Sequence, residues 1–202
     1  MILESIVTTA DSSGVVNVAP MGPEVDGPSV QQIKLKPFRT SRTFSNLRSV
    51  GTAVVHVTDD VELIAATAIG RIKDASSEDG AGSGFDRGMA GELGRTEPLL
   101  DRWHKLVDCC HWYAVEIEAW TEDELRPVAT CRIVHRGFQR PMFGPNRGKH
   151  AVIEAAILVT RLGLIGREEV RARMGELWPL VEKTGGAAEH RAWLRLESAV
   201  DG

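Results

Sequence analysis

The central helix and strand of the predicted fold lie in residues 37–58, PFRTSRTFSNLRSVGTAVVHVT. Ser41 belongs to the residue types whose side-chain oxygen caps a helix N-terminus. Gly51 suits the left-handed position that ends a helix. Together they predict a short helix from residue 41 to about residue 50. The β-branched run from Thr52 to Thr58 then predicts a strand that is buried on both faces.

Further strand patterns lie on both sides of this stretch. Residues 2–19 predict a hairpin that turns at Gly14, and residues 30–36 predict a third strand. Residues 112–120 and 128–135 predict two more strands, joined by a polar connection. With the central strand, these segments give about six strands linked mostly by turns that suit antiparallel pairing. We therefore expect a mainly β protein that also contains helices.

The rest of the chain has helical or loop character. Five further segments are predicted to be helical, namely residues 60–69, 99–107, 148–162, 168–183 and 187–200. Glu154 falls on the apolar stripe of the third segment and would need a partner if it were buried. Six glycines between Gly80 and Gly94 predict a loop or insertion over about residues 74–97.

The distribution of charge gives the first functional indication. The chain has 202 residues, with 24 Lys and Arg, 28 Asp and Glu, and a formal net charge of -4. Residues 27–58 contain five cations and no acid, and residues 126–150 contain six cations and no acid. Such segregation predicts local anion sites on an otherwise acidic protein.

Several classes of protein are disfavoured by composition. No apolar run approaches the ~18 residues that a membrane span needs, and the N-terminus has no signal-peptide pattern. Three cysteines do not suggest a disulfide framework, so we expect a cytoplasmic protein. His104, Cys109, Cys110 and His111 match no zinc spacing, so no metal is expected. The few aromatic residues do not interleave with the basic ones, so nucleic acid is not an expected partner.

Both basic segments place cations at predicted helix starts, where the helix dipole disfavours them. Arg39 and Arg42 flank the cap Ser41, and each repulsion costs about 0.3–1 kcal/mol when exposed. A bound anion would reverse the sign of this effect, and Thr40 and Thr43 would add hydroxyl donors. A capped surface helix with solvated arginines explains the same residues, and both interpretations stay open at this point.

The second helix start has the same character. Arg147 and Lys149 follow Asn146 in a segment whose glycines would let the backbone approach a ligand. The segment from residue 126 to residue 150 carries more positive charge than one phosphate requires. Asn146, Arg147 and Lys149 are therefore our candidates for a second anion site or a substrate site.

The order of these motifs resembles the FMN-binding split-barrel superfamily of flavin-reductase-like proteins. The residues that carry the resemblance are NVAPMG at 17–22, RTSRT at 39–43, Asn46-Leu47, and VVHVTDD at 54–60. The sequence is more similar to a small, uncharacterised microbial branch of that superfamily. That branch has Pro-Met-Gly after the second strand and an Asn-Arg helix near the C-terminus, which here is NRGKHAVIEA at 146–155.

The resemblance implies a six-stranded antiparallel split β-barrel, FMN as cofactor and a homodimer. Residues 1–146 would form the FMN-binding domain, and residues 147–202 would form helices packed on the barrel or at the dimer interface. By position, the residues expected to hold the FMN phosphate are Arg39, Thr40, Ser41 and Thr43, with Arg42 nearby. The residues expected to line the flavin ring or ribityl chain are Ala19, Pro20, Met21 and Gly22. Asn46 is a further cofactor-binding candidate.

The activity implied by the resemblance is that of an oxidoreductase on a small substrate. Members of the similar branch are associated with microbes that use methanopterin-linked metabolism, which suggests a pterin-like substrate, and NAD(P)H is a possible electron donor. The flavin would supply the redox chemistry, and no catalytic residue is identified in the sequence. The alternatives are an FMN carrier without turnover, a split barrel for another anionic ligand, and a haem-binding relative that uses a histidine.

Overall fold

The computed structural model describes residues 1–70 and 93–202. Their contacts divide them into two units, residues 1–58 with 93–141 and residues 59–70 with 142–202. The strands are β1 Ser5–Ala10, β2 Val16–Met21, β3 Glu24–Val25, β4 Gln32–Leu35, β5 Thr52–Val57, β6 Thr96–Leu99, β7 Trp103–Leu106, β8 His111–Thr121 and β9 Val128–Phe138. The helices are α1 Arg42–Val50, α2 Val61–Ala68, α3 Arg147–Val159, α4 Leu162–Ile165, α5 Arg167–Thr184 and α6 Ala187–Asp201.

The first unit is built on one curled antiparallel sheet with the strand order β2-β1-β5-β8-β9-β4-β3. The predicted fold, mainly β with a split barrel and C-terminal helices, is confirmed. The sheet has seven strands rather than the predicted six. The additional strand, β3, has only two residues and pairs with β4 at the end of the sheet.

The central strands are buried on both faces, as the sequence predicts for β5. Val7 and Val55 lie in an apolar cluster on one face of the sheet. Val54 packs on the other face against Trp103 of the β6–β7 hairpin. Helix α1 begins after Ser41 and ends at Gly51, whose φ is 77°. Both predicted ends of this helix are confirmed.

The prediction of a helix over residues 99–107 is wrong, because this segment belongs to the antiparallel hairpin β6–β7. Leu100, in the turn, has a φ of 53°, which a helix does not allow. The Trp103 indole N–H donates to the Val115 carbonyl at 3.2 Å. The hairpin thus covers one face of the main sheet, and burial of Trp103 and Leu106 outweighs the weak local helix preference.

The second unit is helical. Helix α3 contacts α2, α5 and α6, and its apolar stripe buries Ala151, Val152 and Ala155. Glu154 is exposed, so it does not need the partner that a buried carboxylate would require. A Cβ on Gly148 would lie 2.9 Å from the Gly185 Cα, so the first turn of α3 touches the α5–α6 connection.

By these contacts α2 belongs with the C-terminal helices, while the proposed domain boundary at residue 146 stays a prediction. Most of the predicted Gly-rich loop, residues 74–97, lies outside the described residues. Within the parts of the chain that the structure covers, no helix is long and apolar enough to cross a membrane.

Candidate phosphate site at the first helix

The N-terminus of α1 has the chemistry of an anion site. The Ser41 side chain accepts the Phe44 amide at 3.1 Å and donates to the Phe38 carbonyl at 2.7 Å, so its hydroxyl is fully used as the cap. The amides of Arg42 and Thr43 donate to none of the described residues. The first turn contains no acid. Two N–H groups therefore remain at the positive end of the helix dipole.

Arg42 is the cation that remains free at this helix end. It is exposed, and it forms no ion pair with any residue in the described ranges. Thr40, two residues before Arg42, is also exposed, and its hydroxyl has no hydrogen-bond partner among the described residues. A guanidinium, a hydroxyl and two backbone amides thus lie within four consecutive residues.

Arg39, in contrast, is held by the β8–β9 connection. Its Nη2 lies 2.6 Å from the Glu122 carboxylate, and its Nε donates to the Asp123 carbonyl at 2.8 Å. Arg48 donates to the same carboxylate. Hydrogen bonds from Arg48 and Arg39 hold the pKa of Glu122 below its ordinary value. Three of the five guanidinium N–H groups of Arg39 are left to reach an anion, both on Nη1 and one on Nη2. No local pattern in the sequence indicated that Glu122 would be its partner.

Thr43 and Asn46 lie on the buried side of α1. The Thr43 hydroxyl accepts Asn17 Nδ2 at 3.0 Å, and Asn46 Nδ2 donates to the Thr9 hydroxyl at 3.1 Å. Both side chains are 3% exposed. These two hydrogen bonds fix α1 on β2 and β1, so the side chains position the helix. Asn17 is a positioning residue that we did not assign to the site from the sequence.

The predicted ring-side segment lies on the edge strand β2 and directly after it. Ala19 and Pro20 pair with β1 across the ladder, and Pro20, which lacks an N–H, is acceptable on an edge strand. Met21 packs partly on the core. A Cβ on Gly22 would come within 2.8 Å of Ile2, so close approach of the N-terminal segment explains this glycine. The hydrogen bond between Asn17 and Thr43 brings this strand and the start of α1 together.

The second candidate site consists largely of structural contacts. Asn146 caps α3 by accepting the Lys149 amide at 2.9 Å, and its Nδ2 donates to the Thr184 carbonyl at 3.0 Å. The Lys149 ammonium lies 2.9 Å from the Glu189 carboxylate and 2.9 Å from the Asp59 carbonyl. Arg147 alone of the three candidates is exposed with no ion pair among the described residues.

The two acid-free stretches of sequence are partly neutralised by acids from elsewhere in the fold. In the first stretch, Lys36 pairs with Glu24. In the second, Arg132 pairs with Glu116 on the neighbouring strand, and Arg140 lies 2.6 Å from Asp108. Segregation of charge along the chain therefore overstated the free positive charge.

Histidine and cysteine chemistry is also restricted by burial. His56 is fully buried, with its Nδ1 3.0 Å from the Ile6 carbonyl and its Nε2 accepting the Leu106 amide at 3.0 Å. Burial lowers the pKa of His56 to about 3, so it is a neutral core residue and is not free to bind haem. Burial raises the pKa of the Cys109 thiol to about 12. No group of three or more potential metal-ligating side chains occurs in residues 1–70 and 93–202.

A curled antiparallel sheet with a capped helix against its edge strands defines the class of flavin-reductase-like split barrels. Residues 3–140 match the family described as "Protein of unknown function (DUF447) N-terminal domain", and residues 146–198 match "Protein of unknown function (DUF447)". The chain belongs to this family.

Solved structures with a similar fold include an FMN-bound protein of the same family from Methanosarcina mazei. It has a TM-score of 0.77 and 23% identity, covering 98% of this chain and 94% of that chain. A flavin reductase domain protein from Arthrobacter has a TM-score of 0.51 and 12% identity, covering 70% of this chain and 80% of that chain. An FMN-binding protein from Thermus thermophilus has a TM-score of 0.50 and 10% identity, covering 69% and 73% of the two chains.

Proposed function

We propose that this protein binds FMN non-covalently and acts as an FMN-dependent oxidoreductase on a small substrate. The observation that carries the proposal is the free anion-binding end of α1. It lies in a chain whose fold extends over nearly the whole length of an FMN-bound member of its family. The cofactor would supply hydride or electron transfer, which explains why no catalytic dyad is needed.

The residues at α1 fit a phosphate. Arg42 offers an unpaired guanidinium, the amides of Arg42 and Thr43 are free among the described residues, and Thr40 offers a hydroxyl. A phosphate carries about -1.5 to -2 charges and prefers such helix ends. Arg39 would add its remaining N–H groups while staying bound to Glu122.

The edge strand β2 is where we propose that the ribityl chain and the flavin ring bind. Ala19 and Pro20 are small, partly exposed residues on an unpaired sheet edge. In the proposed homodimer, a second copy would cover this region and exclude water from it. Arg147 is exposed and forms no ion pair with the described residues, so it is the remaining candidate to bind an anionic substrate. We propose a pterin-like or other small molecule as the substrate. We propose NAD(P)H as the electron donor.

The first test is the visible absorption spectrum of the purified protein, before and after removal of any ligand and addition of FMN. We expect a flavin spectrum and saturable binding. Colourless protein that binds no added FMN would refute the proposal.

A second experiment distinguishes an oxidoreductase from an FMN carrier. The FMN-loaded protein is mixed anaerobically with NADH or NADPH, and the flavin absorbance is followed. Bleaching faster than that of free FMN supports an enzyme. Bound flavin that neither pyridine nucleotide reduces, and that transfers intact to an acceptor flavoprotein, supports a carrier.

A further inference from the structure

A second site lies within the helical unit, between α5 and α6. A cavity of about 340 Å³ opens between one stripe of side chains on each helix. Met174 and Trp178 line it from α5, and Trp193 and Glu197 line it from α6. This volume lies at the lower end of the range of ligand pockets, so it suits a small molecule.

Helix α5 contains two residues beside the cavity that are unfavourable in a helix interior. Gly175 lines the cavity in mid-helix, and a Cβ built there would meet no atom within 4 Å. Pro179, four residues later inside the helix, has no N–H to donate to the Gly175 carbonyl. Glycine and proline are the two least favourable residues in a helix interior. Such local conflicts with the fold are concentrated at functional sites.

Two indole rings form the aromatic part of the wall. The centroids of Trp178 and Trp193 are 5.6 Å apart, and their planes are inclined by 46°. Trp103 and Trp120 carry an arginine over their rings, at 5.5 and 4.2 Å. No lysine or arginine of the described residues occupies that position on Trp178 or Trp193. The half-buried ring of Trp178 can therefore accept a cation from outside the chain, while Trp193, which is 1% exposed, supports it from behind.

The charged groups around the cavity leave an excess of negative charge. Arg171 is tied to Asp201, with 2.5 Å between Nη2 and the carboxylate oxygen. Glu197 lines the cavity and forms no ion pair or hydrogen bond with any residue the structure covers. A positively charged ligand would restore the balance.

Trp193 adds a hydrogen-bond requirement. Its side chain is 1% exposed, and its indole N–H has no acceptor among the described residues. A buried donor without a partner is unfavourable, so a ligand oxygen atom that reaches this N–H would stabilise the bound state.

We propose that this cavity binds a small organic ammonium ion that carries an oxygen acceptor. The ammonium group would lie against the Trp178 ring and the Glu197 carboxylate. The proposal is independent of FMN binding, because all of these residues lie on α5 and α6.

The test uses the full-length protein with choline as the probe and dimethylbutanol, in which carbon replaces the nitrogen, as its neutral isostere. Isothermal titration measures affinity, and the ring-current shift of the ligand methyl protons reports contact with the indoles. We expect choline to bind about tenfold or more tightly than the isostere. Glu197→Gln should weaken choline binding about three- to tenfold, because it removes the charge and keeps the shape.

Gly175→Leu should abolish choline binding by filling the cavity without losing the helix. Gly163→Leu is the matched control, because a Cβ there also meets nothing within 4 Å, and it should bind choline as the parent does. Circular dichroism verifies the fold of each variant. Absence of choline binding, equal binding of the neutral isostere, or unchanged binding in folded Gly175→Leu would each overturn the proposal.

Discussion

Replacing Arg42 by alanine separates ligand binding from stability at α1 more cleanly than any other substitution. Arg42 is exposed, is the first residue of the helix, and has no partner among the described residues that its removal would leave unsatisfied. Arg39 is a poorer choice, because its loss would leave Glu122 with Arg48 alone.

Two effects of opposite sign are expected. A charged hydrogen bond to phosphate contributes about 1.5–3 kcal/mol, so the dissociation constant of FMN should rise about 10- to 150-fold. Without ligand, removing a cation from the positive end of the helix dipole should raise the free energy of unfolding by about 0.3–1 kcal/mol.

Flavin fluorescence titration measures the first effect, and urea unfolding of ligand-free protein measures the second. Arg167→Ala is the control. Arg167 is likewise the exposed first residue of a helix, α5, and has no ion pair within the described ranges. The control should show the small gain in stability and no change in FMN affinity. Unchanged FMN affinity in Arg42→Ala would show that the phosphate does not bind at α1.

Three further predictions concern stability. The pKa of His56 in the folded protein is lowered to about 3, so its contribution to stability is complete above the unfolded pKa of about 6.5 and is lost as the pH falls towards 3. The free energy of unfolding in urea should therefore fall by about 2 kcal/mol between pH 7 and pH 5. A folded His56→Gln variant with the same pH dependence would contradict this assignment. Burial would raise the pKa of Glu189, but hydrogen bonds from Lys149 and the Gly186 amide hold it below its ordinary value. Lys149→Met would leave this buried carboxylate without its cation and should lower the free energy of unfolding in urea at pH 7 by about 3 kcal/mol. A loss under about 0.5 kcal/mol would show that the ion pair does not stabilise the fold. Gly137→Ala would place a Cβ in steric conflict with the Trp112 ring. In thermal or urea unfolding it should lower the free energy of unfolding by about 1–3 kcal/mol. An unchanged unfolding midpoint would mean that the ring moves aside freely.

Local sequence patterns predicted the elements whose ends are set by their own residues. Ser41 and Gly51 define α1, and Asp60 caps α2 by accepting the Glu62 and Leu63 amides. The β-branched run of β5 gave a strand buried on both faces. Each capping bond joins residues that are neighbours in sequence, and the apolar β-branched run by itself indicated a buried strand, so local sequence patterns were sufficient.

Contacts between distant residues decided what sequence reading missed. The segment from residue 99 to residue 107 is a hairpin because Trp103 and Leu106 find a buried surface on the main sheet. Helical spacing alone likewise does not separate Trp193, which is buried, from Trp178, which is half-buried and lines the cavity beside Gly175.

By itself the sequence determined the fold class, the first helix and its position before a core strand, because these follow from side-chain type and spacing. It also placed an excess of cations at that helix. Only the tertiary structure decided which of them are free. Glu122 lies 83 residues from Arg39 along the chain and reaches it through the β8–β9 hairpin, while Arg42 is left unpaired among the described residues. Charge pairing depends on distance in space, and chain folding sets that distance.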